Sequence, residues 1–268
     1  MINAVVIGVG GRMGSRIAHW IDQTEGIQIA GGVEGFGHPM VGHDVGEIIG
    51  RGRLGVKIVD RLEEVVEKAD VIIEFTHHEA TISHLIVAAG KGKPMVIGTT
   101  GFTAQEMEEI RHYAQRVPLV VAPNMSVGIN VLFKVLKDVA RILGNDYEVE
   151  IVEAHHNQKK DAPSGTALKM AQIIAEVLGR DLERDAIYER KGVIGPRKKN
   201  EIGIQTIRGG DIVGEHNVMF VTEGERLEFI HRAHSRDNFA RGAVRAALWI
   251  VGKPPGLYDM QDVLGLKG

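Results

Sequence analysis

Near its start the chain runs from an apolar strand straight into a cluster of glycines, in the stretch AVVIGVGGRMGSRIA, Ala4 to Ala18. Gly8, Gly10, Gly11 and Gly14 stand between a β-type run and a helical pattern, RMGSRIAHWIDQ. The spacing is G-x-G-x-x-x-G, one residue longer than the dinucleotide fingerprint G-x-G-x-x-G. Its physics survives the insertion. Early glycines let the backbone turn tightly and approach a pyrophosphate, and the following helix offers N–H groups at the positive end of its dipole. A second apolar strand, IQIAGGVE, ends in Glu34, about 20 residues beyond Gly14, where an acid can hold an adenosine ribose hydroxyl. A tight strand–helix turn without a ligand is the plainer alternative. Strand, glycines, helix and acid in register favour a nicotinamide dinucleotide.

The alternation continues. DVIIEFT (Asp70–Thr76), PMVIGTT (Pro94–Thr100) and PLVVAP (Pro118–Pro123) read as buried strands, with helical segments around 79–91 and 104–115 between them. Continuous apolar strands separated by helices signal a parallel, doubly wound sheet whose ligands sit at the carboxyl ends of the strands. Thr76, Thr99, Thr100 and Asn124 fall at those ends. After Pro123 the order changes. A helix near Asn130–Leu143 leads to YEVEIVEAH, a helix from Gly165 to Leu178 follows, and then three strands come almost in succession: EIGIQTIRG, IVGEHNVMFV and ERLEFIHRAH. That is the pattern of a separate α+β domain with an open, mixed sheet. The amphipathic tail from Asn238 to Gly252 folds back on the first domain. The expected division is therefore 1–126 with 238–268 for dinucleotide binding, and 127–237 for a second domain.

Composition narrows the function. The 268 residues carry a formal charge of −3 with no long basic tract, which argues against nucleic acid as a partner. There is no cysteine, so disulfides and thiolate metal sites are excluded, and a reducing compartment fits. No apolar run approaches the roughly 20 residues of a membrane span. The expectation is a cytoplasmic protein without membrane partners.

The densest chemistry lies in AHHNQKKDAPSGTA, Ala154–Ala167. His155 and His156 make poor joint metal ligands, because neighbours on a strand point to opposite faces, and no H-E-x-x-H spacing accompanies them. No metal is expected. An acid–base reading suits the segment better: His155 exchanges protons near neutrality, and Lys159 brings a cation with a proton to give. Pro163 suits a helix entry and Ser164 a cap, which would set Gly165 and Thr166 at the positive end of a helix. Such a seat suits a small carboxylate substrate; a polar loop before a capped helix is the plainer alternative. A second histidine group, His77, His78 and His84, reads as a solvated helix face.

GVGGRMG, EFT, VIGTTGF, APNMSVGIN, EAHHNQKKDAPSGTA, RGGDIVGEH and RAHSRDNFARGAVRAALW occur in order from Gly8 to Trp249. Together they resemble the 4-hydroxy-tetrahydrodipicolinate reductase (dihydrodipicolinate reductase) family of lysine and diaminopimelate biosynthesis. The resemblance implies a Rossmann domain, a central α+β domain whose open sheet builds a homotetramer, and hydride delivery to ring C4 after loss of the 4-hydroxyl as water. It places acid–base chemistry on His155, proton donation on Lys159, and the substrate dicarboxylate on His156, Gly165 and Thr166. It places the cofactor on Gly8, Val9, Gly10, Gly11, Arg12 and Met13, on Glu34, on Gly98, Thr99 and Thr100, and on Ala122, Pro123, Asn124 and Met125. Glu34 followed by Gly35 rather than arginine favours NADH over NADPH, with Arg12 as a partial substitute. The alternatives are another Rossmann oxidoreductase, acting on an amino acid or semialdehyde, and a non-catalytic NAD-sensing protein.

Overall fold

The computed structural model describes residues 1–267; Gly268, the last residue of the expected first domain, lies outside them. The first unit comprises Met1–Val127 and the chain from Arg236 onward. In chain order it opens with β1 (Ile2–Ile7), α1 (Gly14–Asp22), β2 (Ile27–Val33), α2 (Val45–Ile48) and β3 (Ile58–Val59). Next come β4 (Val71–Glu74), α3 (His78–Gly90), β5 (Met95–Ile97), α4 (Ala104–Ala114) and β6 (Pro118–Val121). Helix α5 (Val127–Leu143) leads into the second unit, Gly128–Ser235. There follow β7 (Glu148–His155), α6 (Gly165–Leu178), α7 (Leu182–Asp185), β8 (Ala186–Ile187), β9 (Ile202–Arg208), β10 (Gly214–Thr222) and β11 (Glu225–Ala233). The chain returns to the first unit with α8 (Asp237–Ile250), β12 (Gly256–Tyr258) and α9 (Met260–Val263).

The first sheet is parallel, in the order β12-β6-β5-β4-β1-β2-β3. Without β12 this is the doubly wound order 3-2-1-4-5-6, with its switch point between β1 and β4. Its strands read as continuous apolar runs because both faces are covered. Ala4 and Val6 of β1 pack with Val71 and Ile73 of β4 into one core, alongside α1 and α8. Val5 and Ile7 pack with Ile72 of β4 into the opposite core, alongside α3 and α4. Each such buried valine or isoleucine contributes about 1.5–3 kcal/mol of burial. Arg16 of α1 holds Asp237 of α8 at 2.6 Å, tying the returning C-terminal helix into this layer.

The second sheet is mixed, in the order β11-β10-β7-β9-β8. Helices α5 and α6 cover one face, through Leu132, Leu136, Met170 and Ile174 packed on Ile151, Ile204 and Val218. The register assigns the residues of the other face: Ile207 lies level with Ala154, Glu215 and Arg232, and Ile230 with Asn217 and Val152. Ile207 and Ile230 are exposed there. Among the described residues no helix is long and apolar enough to cross a membrane.

Candidate active site

Along β7 the side chains on the covered face run Val149, Ile151, Glu153, His155, so the buried stripe changes from apolar to ionisable toward the carboxyl end. Pairing carries that change across the sheet. His216 on β10 and Thr206 on β9 stand level with Glu153, and Arg208 stands level with His155. Glu153 is fully buried. One of its oxygens faces His155 Nδ1 at 2.6 Å and accepts from Arg208 Nη1 at 2.8 Å. The other accepts from Arg208 Nη2 at 2.8 Å, the Ser164 backbone N–H at 2.9 Å and the Thr206 hydroxyl at 3.2 Å. Burial opposes ionisation, but the bonds from His155, Arg208 and Ser164 outweigh it and hold the carboxyl well below the ordinary carboxylate range.

A carboxylate only accepts, so His155 Nδ1 carries the proton of that contact and Nε2 is the nitrogen left for chemistry. A Cβ at position 214 would come within 3.0 Å of Nε2, so the glycine there keeps the nitrogen uncovered. The His216 ring stands edge-on to His155, with centroids 5.3 Å apart. Burial, with the charge of His155 beside it, pushes His216 down to about 3, so it stays neutral.

The segment after β7 curls over this row. Lys159 Nζ holds both oxygens of Asp161 at 2.8 Å, and Arg208 Nη2 donates to the Asp161 carbonyl at 2.7 Å. The His156 N–H donates to Ile212 O at 2.7 Å, and the Gly209 N–H to His155 O at 3.0 Å. Through these bonds the RGGDIV stretch holds the lysine loop in place. Ser164 caps α6, its hydroxyl accepting from the Ala167 N–H at 3.2 Å and lying 3.1 Å from His216 Nε2. Gly165 and Thr166 are the first two residues of that helix. His155, Lys159, His156, Gly165 and Thr166 are thus gathered at one end of one sheet. Glu153, Arg208, Asp161 and His216 join them without having been singled out in the sequence. The detectable signal was an acid on the buried period of β7, which needs a partner wherever it lies.

The dinucleotide positions gather in the first unit. Gly8, Val9, Gly10, Gly11, Arg12 and Met13 form the turn between β1 and α1. Gly8 has φ +73°, and a Cβ on Gly14 would lie 1.9 Å from Gly8 O, so the helix can start this close to the strand only with glycine there. No side chain caps the start of α1. Glu34 follows β2 and one of its oxygens accepts from the Gly10 N–H at 2.6 Å, which leaves the second for a ligand. Gly98, Thr99 and Thr100 follow β5, and Ala122, Pro123, Asn124 and Met125 follow β6, the neighbouring strand. A cavity of about 450 Å³ opens beside Thr99, Thr100, Pro123 and Tyr258. The turn, the acid and the strand-end loops fit a dinucleotide laid along the carboxyl edge of the sheet.

The second histidine group departs from expectation. The exposed His77 lies 3.8 Å from Glu79, while His78 Nδ1 lies 2.7 Å from Glu106 and His84 Nδ1 lies 2.7 Å from Glu74, so the last two are held by carboxylates rather than left to solvent. The acids of those two come from α4 and β4, outside the helix, where local reading does not reach. Among the described residues no group of three or more His, Asp or Glu is placed to hold a metal.

Comparison with known proteins gives the family. The family profile described as "Dihydrodipicolinate reductase, N-terminus" matches residues 2–125, and its C-terminal counterpart matches 128–264. The chain belongs to the dihydrodipicolinate reductase family. It is 60% identical to the 4-hydroxy-tetrahydrodipicolinate reductase of Syntrophus aciditrophicus (strain SB), over the whole of both chains. It is 58% identical to the corresponding protein of Syntrophobacter fumaroxidans (strain DSM 10017 / MPOB), again over the whole of both. Among solved structures, the dipicolinate-bound dihydrodipicolinate reductase from Paenisporosarcina sp. TG-14 superposes with a TM-score of 0.76 at 24% identity, covering 98% of each chain. GenD2 from gentamicin A biosynthesis, in complex with NAD, gives 0.59 at 13% identity over 99% of this chain and 90% of that one. These two similarities establish the fold.

Proposed function

We propose that this protein is a 4-hydroxy-tetrahydrodipicolinate reductase, reducing its substrate to tetrahydrodipicolinate with loss of water in lysine and diaminopimelate biosynthesis. The observation that carries the reading is the Glu153–His155 pair, set beside Lys159 and the start of α6 in a chain of this family. The first unit binds the dinucleotide and the second seats the dicarboxylate. NADH is preferred, because Glu34 repels a 2′-phosphate and Gly35 brings no arginine to meet one. A bound reduced nicotinamide supplies the hydride, delivered to ring C4. The balance is one hydride and one proton taken up and one water released.

The chain's own residues handle the rest. His156, Gly165 and Thr166 hold the substrate carboxylates, where the α6 dipole favours negative charge. Electron density left on the ring by hydride addition is met by a proton from Lys159. Asp161 holds that ammonium in place until the substrate arrives. His155 works through Nε2 as acid and base, with Glu153 fixing its tautomer. The exposed Ile207 and Ile230 on the open face of the second sheet support assembly through that face into a homotetramer. A chain without cysteine, in whose described residues no helix is long and apolar enough to cross a membrane, fits the cytoplasm.

The decisive assay is oxidation of NADH and NADPH with freshly made hydroxy-tetrahydrodipicolinate. Turnover with both, faster at limiting NADH, is the expected result; turnover with neither overturns the proposal. Lys159→Ala is expected to lower kcat by about two orders of magnitude or more, the usual scale for a lost general acid. NADH affinity should stay within about twofold, a small fraction of 1.4 kcal/mol. A near-normal kcat would remove the role given to Lys159.

A further inference from the structure

Glu74 is the last residue of β4, fully buried, in the strand beside β1 at the switch point of the parallel sheet. A carboxylate so placed is costly unless its oxygens are partnered. One oxygen accepts from the Thr76 hydroxyl at 2.5 Å, and the other lies 2.7 Å from His84 Nδ1. Thr76 stands at the carboxyl edge, just past the end of the strand, and His84 reaches in from α3. Thr76 is exposed, and its Cγ2 lies 2.9 Å from where a Cβ on Gly8 would be, so it flanks the glycine turn directly.

A hydroxyl has one proton and two lone pairs. Of the two acceptors within its reach, Glu74 at 2.5 Å is far closer than the His77 carbonyl at 3.5 Å, so the Thr76 proton goes inward to Glu74 and toward solvent the oxygen accepts. The backbone behind it is locked as well. The Thr76 N–H donates to Thr99 Oγ1 at 3.2 Å, and the Thr81 hydroxyl reaches the same oxygen at 3.0 Å. The exits of β4 and β5 are thereby joined at the side-chain level, with His77 O lying 3.0 Å from Thr81 Oγ1.

A dinucleotide whose ribose is held at Glu34, after β2, and whose pyrophosphate lies at the turn after β1 reaches its nicotinamide end over β4 and β5. There the only neutral group with N–H donors is the carboxamide. An acceptor-only hydroxyl attracts such a donor and repels phosphate, carboxylate and carbonyl oxygens. We propose that Glu74 is a positioning residue for the nicotinamide end of the cofactor, fixing the Thr76 hydroxyl as an acceptor for the carboxamide N–H. The proposal rests on the dinucleotide reading above and gives the paired histidine His84 a part in it.

The test is calorimetric titration of the protein with NADH and with the reduced 3-acetylpyridine analogue, whose methyl ketone has no N–H. Thr76→Val keeps the shape and removes the acceptor. It is expected to weaken NADH by about fivefold to tenfold, one hydrogen bond's worth, and the analogue by less than about twofold. Thr76→Ser should restore NADH affinity to within about twofold of wild type, a few tenths of a kcal/mol. Glu74→Leu, which frees the hydroxyl to turn, should reduce the preference for NADH over the analogue as Thr76→Val does. Equal weakening of both ligands by Thr76→Val would make the residue merely structural and overturn the proposal, as would no weakening of either. A wild-type protein that binds neither dinucleotide would overturn the cofactor reading itself, a different result from normal binding that Thr76→Val leaves unchanged.

Discussion

Each unit of the molecule buries a glutamate near the carboxyl end of a strand and sets it against Nδ1 of a histidine, yet the surroundings differ. Glu153 is met by a guanidinium through two bonds of 2.8 Å, by a backbone N–H and by one hydroxyl, besides its histidine. Glu74 is met by one hydroxyl and by its histidine. The first is a charge pair inside a sheet, with its cation supplied by the neighbouring strand in register. The second has no arginine or lysine among its hydrogen-bond partners, and its output is the direction of a single hydroxyl proton. The difference predicts that the two acids fail in different ways. Loss of Glu153 strands a cation and releases the ring that moves protons, whereas loss of Glu74 loosens a cofactor contact.

The largest effect expected from that contrast is at Glu153. Glu153→Leu leaves Arg208 without its carboxylate and should cost about 3 kcal/mol of unfolding free energy, the scale for breaking a buried pair. Glu74→Leu should cost about 1–2 kcal/mol, the scale for hydrogen-bond partners left unmet. Glu153→Gln, which keeps the volume, should lower kcat by about two orders of magnitude through the wrong His155 tautomer while NADH affinity is retained. Chemical denaturation and steady-state kinetics on the three variants check this. Equal stability losses at the two sites would erase the distinction.

Much of this is legible in the sequence, and what is hidden shares one cause. The parallel strands announced themselves because two covered faces demand unbroken apolar runs. Strands β3 and β12, of two and three residues, carry no such run and exist only by pairing with Gly32–Val33 and Pro118–Val120. In the second unit the sequence placed His155, Lys159 and the start of α6 side by side because they are neighbours along the chain. Arg208 lies 55 residues from Glu153, and only the register of β7 with β9, which sets Arg208 level with His155, brings the two within reach. The contact of Asp161 with Lys159 likewise depends on how the loop folds. His78 and His84 looked solvated for the same reason: their acids come from other elements. Contacts set by register, rather than by local spacing, are what a single sequence withholds.

A smaller effect separates the two regions by pH. His216 lies in the Glu153 row, with a folded-state value of about 3 against an ordinary 6.5. Between those values the unfolded chain binds a proton at this residue and the folded chain does not, so stability falls as pH drops below about 6.5. Over pH 7 to 5 this linkage is worth about 2 kcal/mol, at 1.36 kcal/mol per unit. His231 is also held down by burial, but it is present in both proteins being compared. Glu153 adds its own acid sensitivity only below its ordinary value of 4.5. His216→Gln should therefore remove about 2 kcal/mol of the stability lost between pH 7 and pH 5, measured by denaturant unfolding at both. An unchanged pH dependence would mean that His216 titrates normally in the folded protein.

The smallest effect is the most discriminating about how the second unit joins its parts. Ser164 touches Glu153 through its backbone N–H, but caps α6 and meets His216 through its hydroxyl. Ser164→Ala deletes only the hydroxyl. It should cost about 1 kcal/mol, the usual value of a helix cap, and leave the N–H bond to Glu153 in place. If that bond is what ties the substrate seat at α6 to the proton-transfer histidine, kcat should stay within about threefold of wild type, well under 1.4 kcal/mol in barrier. A fall in kcat comparable to that of Glu153→Gln would move the link from the backbone to the hydroxyl. It would then make His216, not Glu153, the residue through which the helix start and His155 are held together.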